Sequence, residues 1–150
     1  MLTVLQRVLS ARVLVDGELV GAIGRGAVLL VGVEKDDGEA DAEATARKVV
    51  ALRFFPGATP MDKTLGEVGG GVLVVSQFTL AGSVTKGNRP SFDGAETPAR
   101  AEALYLHVAA LLRASGLEVA TGRFRAEMAV ELVNDGPVTF LLEAREGRVR

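Results

Sequence analysis

Two short stretches concentrate the groups able to do chemistry. The first is Ser76-Gln77-Phe78-Thr79-Leu80. It offers two hydroxyls, a carboxamide and a run of backbone amides just after the apolar segment Val72-Leu73-Val74-Val75. Strand ends beside long loops commonly carry sites. Taken alone, Ser76 and Thr79 read as hydroxyls that satisfy turn hydrogen bonds. As a catalytic site the stretch lacks an obvious side-chain base. Its amide N–H groups could form an oxyanion hole, which stabilises charge as it develops, while proton transfer would fall to water or to the substrate.

The second stretch is Asn134-Asp135-Gly136-Pro137-Val138-Thr139. It lies between apolar runs at 128–133 and 138–142, both with strand character, and a Gly-Pro pair there reads as a hairpin turn. The turn chemistry alone favours that reading. The alternative uses a property of X-Pro bonds, of which about 5–6% are cis in folded proteins. A cis Gly136-Pro137 would turn two successive carbonyls toward one side. Such a site could recognise a substrate through main-chain atoms.

The remaining reactive groups are few. His107 is the one histidine. It sits in a helical pattern between Leu106 and Val108, so a Ser-His-Asp triad has little support. Glu127 and Glu131 alternate with apolar residues as a solvated strand edge. No His/Asp/Glu cluster has metal-ligand spacing, so neither metal nor cofactor is expected. The triple glycine 69–71 is followed by no Gly-Lys-Ser/Thr, which excludes a P-loop, and it reads as a flexible lead-in to the next strand. Arg7 falls on an apolar strand face between Leu5 and Leu9. It either snorkels past a strand end or is a partly buried guanidinium that needs carbonyl acceptors.

Composition bounds the setting of these groups. The chain has 150 residues, which fits a single domain over 1–150. A chain of that length buries about 68–70% of its unfolded surface, so it needs no covalent staple. Hydrophobic residues make up 48% and mean hydropathy is +0.27. Aromatics are scarce, with six Phe, one Tyr and no Trp, so Val, Leu and Ala must fill the core. The absence of cysteine excludes disulfides, thiol nucleophiles and cysteine zinc sites, and gives no sign of secretion. The opening Met-Leu-Thr-Val-Leu-Gln-Arg-Val does not read as a signal peptide, and no run approaches the 18 or so apolar residues of a membrane span. A cytoplasmic protein with no membrane partner is expected. Net charge is −2, from 17 basic and 19 acidic residues. Proteins that wrap long nucleic acids are normally basic, so any nucleic-acid contact should be small and local.

The elements follow from periodicity. Residues 2–15 alternate as a strand, Asp16-Gly17 is a two-residue hairpin signal, and 18–23 returns. Gly24-Arg25-Gly26 is expected to turn the chain again into 27–33, a continuous apolar run suited to burial on both faces. Asp36, Asp37 or Gly38 can cap a helix over 39–53, with Ala42, Ala46, Val49, Val50 and Arg53 recurring at helical spacing. Residues 56–71 are irregular before the strand 72–75. A loop over 81–95 follows, with Lys86, Arg89, Pro90 and Phe92; loops this long in a compact domain are usually functional or disordered. Thr97 or Pro98 starts a second helix, closed by Gly116, with Ala101, Leu104, Val108, Leu111 and Leu112 on its core face. Strands at 117–122, 126–133 and 138–145 complete an α/β fold of mixed or antiparallel sheets with two main helices.

Taken together, the 76–80 and 134–139 motifs resemble the signatures of the D-aminoacyl-tRNA deacylases, also called D-tyrosyl-tRNA deacylases. Gln6-Arg7-Val8 and Asn88-Arg89-Pro90-Ser91-Phe92 are similar to that family as well. The likeness covers essentially the whole chain, and the two motifs in this order and spacing are specific. It implies a barrel-like deacylase fold and a homodimer with its active site at the interface. It implies hydrolysis of the ester between a D-amino acid and the terminal adenosine of the tRNA 3′ acceptor end. Ser76, Gln77, Phe78 and Thr79 become the implied catalytic set, with amides near Phe78 facing the scissile carbonyl. Arg7, Phe92, Asn134, Gly136, Pro137 and Thr139 become the implied substrate-binding and chiral-selection set. Gly136-Pro137 is implied to be cis and to enter the partner's pocket, braced by Arg7. Thr79 resembles a residue once considered a nucleophile, but the family is read as using the substrate's 2′-hydroxyl, which gives Thr79 a lining role. Asp135 occupies a position read as variable.

A backbone clamp of this kind reads chirality alone. In a D-residue the side chain leaves toward solvent, whereas in an L-residue it meets the Gly-Pro carbonyls. Such a filter accepts D-residues broadly and passes glycine. Two other classes remain open: a small esterase or peptidase with Thr79 as nucleophile, and a non-enzymatic nucleic-acid-binding module. Lys86 and Arg89 are candidate phosphate contacts.

Overall fold

A computed structural model describes all residues, Met1–Arg150. Seven strands and two helices alternate in the order β1 (Leu2–Val15), β2 (Glu18–Ile23), β3 (Gly26–Gly32), α1 (Glu39–Ala51), β4 (Gly71–Ser76), α2 (Pro98–Ala114), β5 (Glu118–Thr121), β6 (Ala129–Arg145) and β7 (Arg148–Val149). A short 3₁₀ turn, Phe78–Ala81, follows β4. The strands form one mixed sheet in the order β5-β4-β3-β1-β6-β7, with β2 also paired to β1. Pairing is parallel for β3–β4 and β4–β5 and antiparallel elsewhere. The sheet curls into a half-barrel with the helices against one face, so the expected α/β, barrel-like architecture is the one observed.

β1 is the spine, carrying β2 and β3 on one edge and β6 on the other. The Asp16-Gly17 hairpin forms as expected, with both residues at positive φ (51° and 77°). The turn expected at 24–26 does not reverse the chain. Ile23 faces Ala11 and Gly26 faces Val8, three residues apart on both strands, so β2 and β3 run on collinearly along β1. Gly26 serves close approach: a Cβ on it would stand 1.8 Å from the Gly71 carbonyl oxygen. The same holds for the expected loose lead-in at 69–71, where Gly70 and Gly71 N–H groups donate to Leu65 and Arg25 carbonyls at 2.9 and 3.0 Å.

The expected hairpin at 134–137 is also absent. β6 runs on as one strand past the Gly-Pro pair, and both of its halves pair with β1. Asn134 faces Val8 and Thr139 faces Gln6, so residues 135–138 bulge out opposite Arg7 alone. A Gly-Pro pair between apolar runs marks a break in the ladder, and the partner strand decides whether the chain turns or loops out and continues.

Two apolar cores follow from the curl. The larger joins the helix-facing side of the sheet to the helices, through Leu5, Leu29, Phe54, Phe55, Tyr105 and Leu112 among others. The smaller is formed by Val8, Val13, Val28, Leu73 and Val75 among others. β3 feeds both, as its unbroken apolar run suggested.

Candidate functional site

β4 is buried throughout until Ser76, where the apolar run ends and the chain emerges. The Gln77 N–H is still held by the Val31 carbonyl at 2.8 Å. The backbone then tightens into the 3₁₀ turn, whose Leu80 N–H donates to the Gln77 carbonyl at 3.2 Å. The first donors of a helical turn have no partner inside it, and the Phe78 and Thr79 N–H groups find none elsewhere in the chain. Two adjacent amides are thus left unpaired at the strand end.

They stand beside a cavity of about 510 Å³, within the size range of small-molecule sites. Ser76, Gln77 and Phe78 line one side, and Tyr105, Phe124 and Met128 are among the apolar residues that line the rest. Thr79 is not in the lining; its hydroxyl takes the Gln77 side-chain amide as donor. The Phe78 ring is 58% exposed and meets Phe92 edge-on at 5.1 Å, which ties the 81–95 loop to the cavity mouth. That loop is closed on itself by mutual Ser83–Ser91 backbone bonds of 2.7 and 2.9 Å.

The cavity walls were missed in the sequence. Tyr105 and Phe124 looked like ordinary helix and loop residues, yet their rings stack at 5.9 Å and 20°. Burial raises the Tyr105 phenol above its ordinary pKa, with Glu102 adding to the shift and Thr121 and Arg113 opposing it. Two carboxylates also line the cavity. Glu96 is committed, accepting from the Thr97 N–H at 2.7 Å and pairing with Arg100 at 3.2 Å. Glu127 is exposed. His107 is on α2 outside the lining, its Nε2 buried without a partner. No group of three or more His, Asp or Glu residues is placed to hold a metal.

The second motif lies elsewhere in the chain. The Gly136-Pro137 peptide is cis and Gly136 has φ +122°. A Cβ on Gly136 would come within 2.7 Å of Val138 Cγ2 and 3.0 Å of Arg7 Nη2. Asn134 clips the base of the bulge: its Nδ2 donates to Thr139 Oγ1 at 3.3 Å, and its Oδ1 accepts from the Val138 N–H at 3.4 Å. Arg7 is 8% exposed, so the snorkelling reading is overturned. Its Nη1 donates to the Phe54 carbonyl at 2.7 Å, its Nε pairs with Asp135 at 3.1 Å, and it lies 5.9 Å from the Phe55 ring centroid. Asp135 therefore has a structural partner that its motif position did not suggest.

Within one chain the two motifs do not meet. Ser76 is level with Val31 and Thr3, whereas the bulge is level with Arg7. Three strand spacings and four residues of strand separate them, which is roughly 20 Å.

The model of the D-Tyr-tRNA(Tyr) deacylase family matches residues 4–143. A D-aminoacyl-tRNA deacylase from Sorangium cellulosum is 57% identical over 147 residues, covering 97% of this chain and 98% of that one. One from Anaeromyxobacter dehalogenans is 56% identical over 146 residues, 97% of this chain and 98% of its own. Among solved structures, a c-Myc DNA Unwinding Element Binding Protein superposes with a TM-score of 0.90 at 39% identity, covering 97% of this chain and 99% of that one. A probable eukaryotic D-amino acid tRNA deacylase superposes with a TM-score of 0.73 at 20% identity, covering 93% and 97%, a likeness of fold.

Proposed function

The chain belongs to the D-Tyr-tRNA(Tyr) deacylase family, and from that premise we propose how its own residues act as a D-aminoacyl-tRNA deacylase, a hydrolase of carboxylic ester bonds. The substrate is the ester between a D-amino acid and the tRNA 3′-terminal adenosine. The apolar cavity beside Phe78 takes the adenosine, whose flat base suits walls of Phe124, Tyr105 and Met128. The ester carbonyl then lies over the Phe78 and Thr79 amides. Those two unpaired N–H groups beside a ligand-sized cavity are the observation that carries the reading.

In this mechanism water adds to the carbonyl carbon and the amides hold the oxygen as it gains charge. The C–O bond to the ribose then breaks, the ribose oxygen takes the proton, and free D-amino acid and tRNA leave. The neighbouring ribose 2′-hydroxyl relays the proton, since the strand end offers no free base. Thr79 supports Gln77 and does no bond-making.

Chiral selection comes from a second copy. The protein works as a homodimer, and the Gly136-Pro137 segment of one subunit enters the other's site and presents its carbonyls there. An L side chain would be driven into them, and such a collision rejects far more strongly than a lost methylene contact, worth about 1–3 kcal/mol. Arg7, Asn134 and Thr139 hold that segment in shape, and Phe92 borders the mouth. The protein is cytoplasmic, acting where charged tRNA is used.

Purified protein tested on matched D- and L-tyrosyl-tRNA decides the matter: rapid hydrolysis of the D ester with the L ester spared is expected. Glycyl-tRNA should be cleaved too, because glycine has no side chain to reject; its survival at enzyme levels that clear D-tyrosyl-tRNA would sink the backbone clamp. Thr79→Ala should keep at least about a tenth of wild-type turnover, whereas a nucleophile's removal typically costs several orders of magnitude. The neighbour whose name refers to a DNA unwinding element favours a second reading, a nucleic-acid-binding module. Steeply salt-dependent DNA binding without hydrolysis would support it, but a net charge of −2 argues for a small contact.

A further inference from the structure

Between β5 and β6 the chain makes a tight turn, Arg123-Phe124-Arg125-Ala126, closed by an Ala126 N–H bond to the Arg123 carbonyl at 3.2 Å. Phe124 is the nail of this turn, stacked on the buried Tyr105. Arg125, next to it, has φ +62°. The other non-glycine residues with positive φ are Asp16, Asp36 and Glu146, in turns as Arg125 is. A long basic side chain held in a left-handed backbone is unusual, and observed outliers of this kind cluster at ligand clamps.

Arg125 lines the cavity that holds Ser76, Gln77 and Phe78. It is also uncommitted. Arg7, Arg12, Arg100 and Arg145 each have a carboxylate within 4.0 Å, and Arg125 has none. Glu127 lines the same cavity without pairing to it, and Glu96 is already taken by Arg100. Lys86 and Arg89 lie on the 81–95 loop outside the lining.

Resting on the adenosine-in-cavity reading above, the geometry points to Arg125 as the contact for the phosphate that joins the terminal adenosine to the rest of the acceptor end. A planar guanidinium at the lip can grip two phosphate oxygens at once. Phe124 and the left-handed backbone fix the root of Arg125 at the cavity, and its exposed side chain is free to meet the phosphate. The contact is to the backbone of the nucleic acid, so it holds every tRNA alike and selects none.

The test compares two esters of the same D-amino acid, D-tyrosyl-tRNA and D-tyrosyl-adenosine, which lacks any phosphate. Arg125→Gly is the main variant, because glycine adopts φ +62° freely and keeps the turn. On D-tyrosyl-tRNA it should raise KM about five- to tenfold with kcat within about twofold, a loss of about 1–1.4 kcal/mol, between that of an exposed ion pair and that of a buried charge-assisted bond. The slope of log(1/KM) against log salt should shrink by about 0.7, one single-stranded phosphate. D-tyrosyl-adenosine should be hydrolysed as by the wild type, and Arg125→Lys should recover part of the tRNA affinity. Equal loss on both esters would make Arg125 a structural part of the cavity and overturn the proposal, and so would no loss on either. Wild-type protein inert toward both esters would instead sink the deacylase reading, and this contact with it.

Discussion

A single methyl group at Gly136 tests whether its segment selects the substrate. It would meet Val138 and Arg7 on a backbone at φ +122°, where a Cβ costs about 1–3 kcal/mol even with space around it. Gly136→Ala should therefore lower the melting temperature by a few degrees and leave the far-UV circular dichroism unchanged. Its effect on D-tyrosyl-tRNA should be larger, about a hundredfold in kcat/KM, because a displacement on the order of 1 Å in a positioning group costs that much. Unchanged turnover would show that the segment does not reach the ester. At this scale the sequence was legible in part. Gly136, Pro137 and the 76–79 stretch stood out as motif residues. Arg7 stood out because a charge on an apolar face needs acceptors, but which acceptors was hidden: Phe54 and Asp135 lie 47 and 128 positions away. Tyr105, Phe124 and Met128 carried no local signal, since aromatic and sulfur side chains fill ordinary cores as well.

At the scale of elements, periodicity identified strands and helices but not their directions. Residues 18–32 and 129–145 each contain an interruption, Gly24-Arg25-Gly26 and Gly136-Pro137, that reads locally as a reversal. Both interruptions are bridged by β1, which pairs with the chain before and after them. The start of α1 shows the same limit. Asp41 lies in the first turn of α1, where an acid needs no partner beyond the helix dipole. In the structure it is buried and accepts from the Gly38 and Gly147 N–H groups at 2.9 and 3.0 Å, joining α1 to the β6–β7 turn. Burial alone would raise its pKa, but the two N–H bonds, the N-terminal ammonium and Arg145 outweigh burial and hold it below its ordinary value. A carboxylate with a depressed folded-state pKa stabilises the fold above its unfolded value, about 3.9, and loses that contribution as pH falls through the folded value. Asp41→Asn should cost about 1–2 kcal/mol at neutral pH. The gap between variant and wild type should close below about pH 4, measured by urea unfolding across pH. A gap that stays constant down to pH 2 would show that the charge is not what Asp41 contributes.

The whole chain leaves one surface unfinished. β6 is covered by β1 on one edge, and β7 pairs only with its last residues on the other. Leu141 is 79% and Val133 51% exposed along it. A long strand with an open edge and bare apolar side chains invites another chain. The same strand carries the Gly136-Pro137 bulge, roughly 20 Å from Ser76 of its own chain. If a second copy supplies that bulge, each site has one half from each subunit, and two different defects can complement. Gly136→Ala spoils the lent half. Phe78→Pro spoils the receiving half by removing an unpaired N–H at the first position of the 3₁₀ turn, where proline fits, and the loss of one oxyanion donor costs about 10²–10³ in kcat. Each homodimer should be nearly inert. In the isolated heterodimer, prepared from two differently tagged chains, one site collects both defects and the other collects neither, because a twofold dimer exchanges its halves reciprocally. Turnover per heterodimer should return to about half that of the wild-type dimer. A site built within one chain gives the opposite result, since every site in the heterodimer would then keep one defect and activity would stay at the level of the parents.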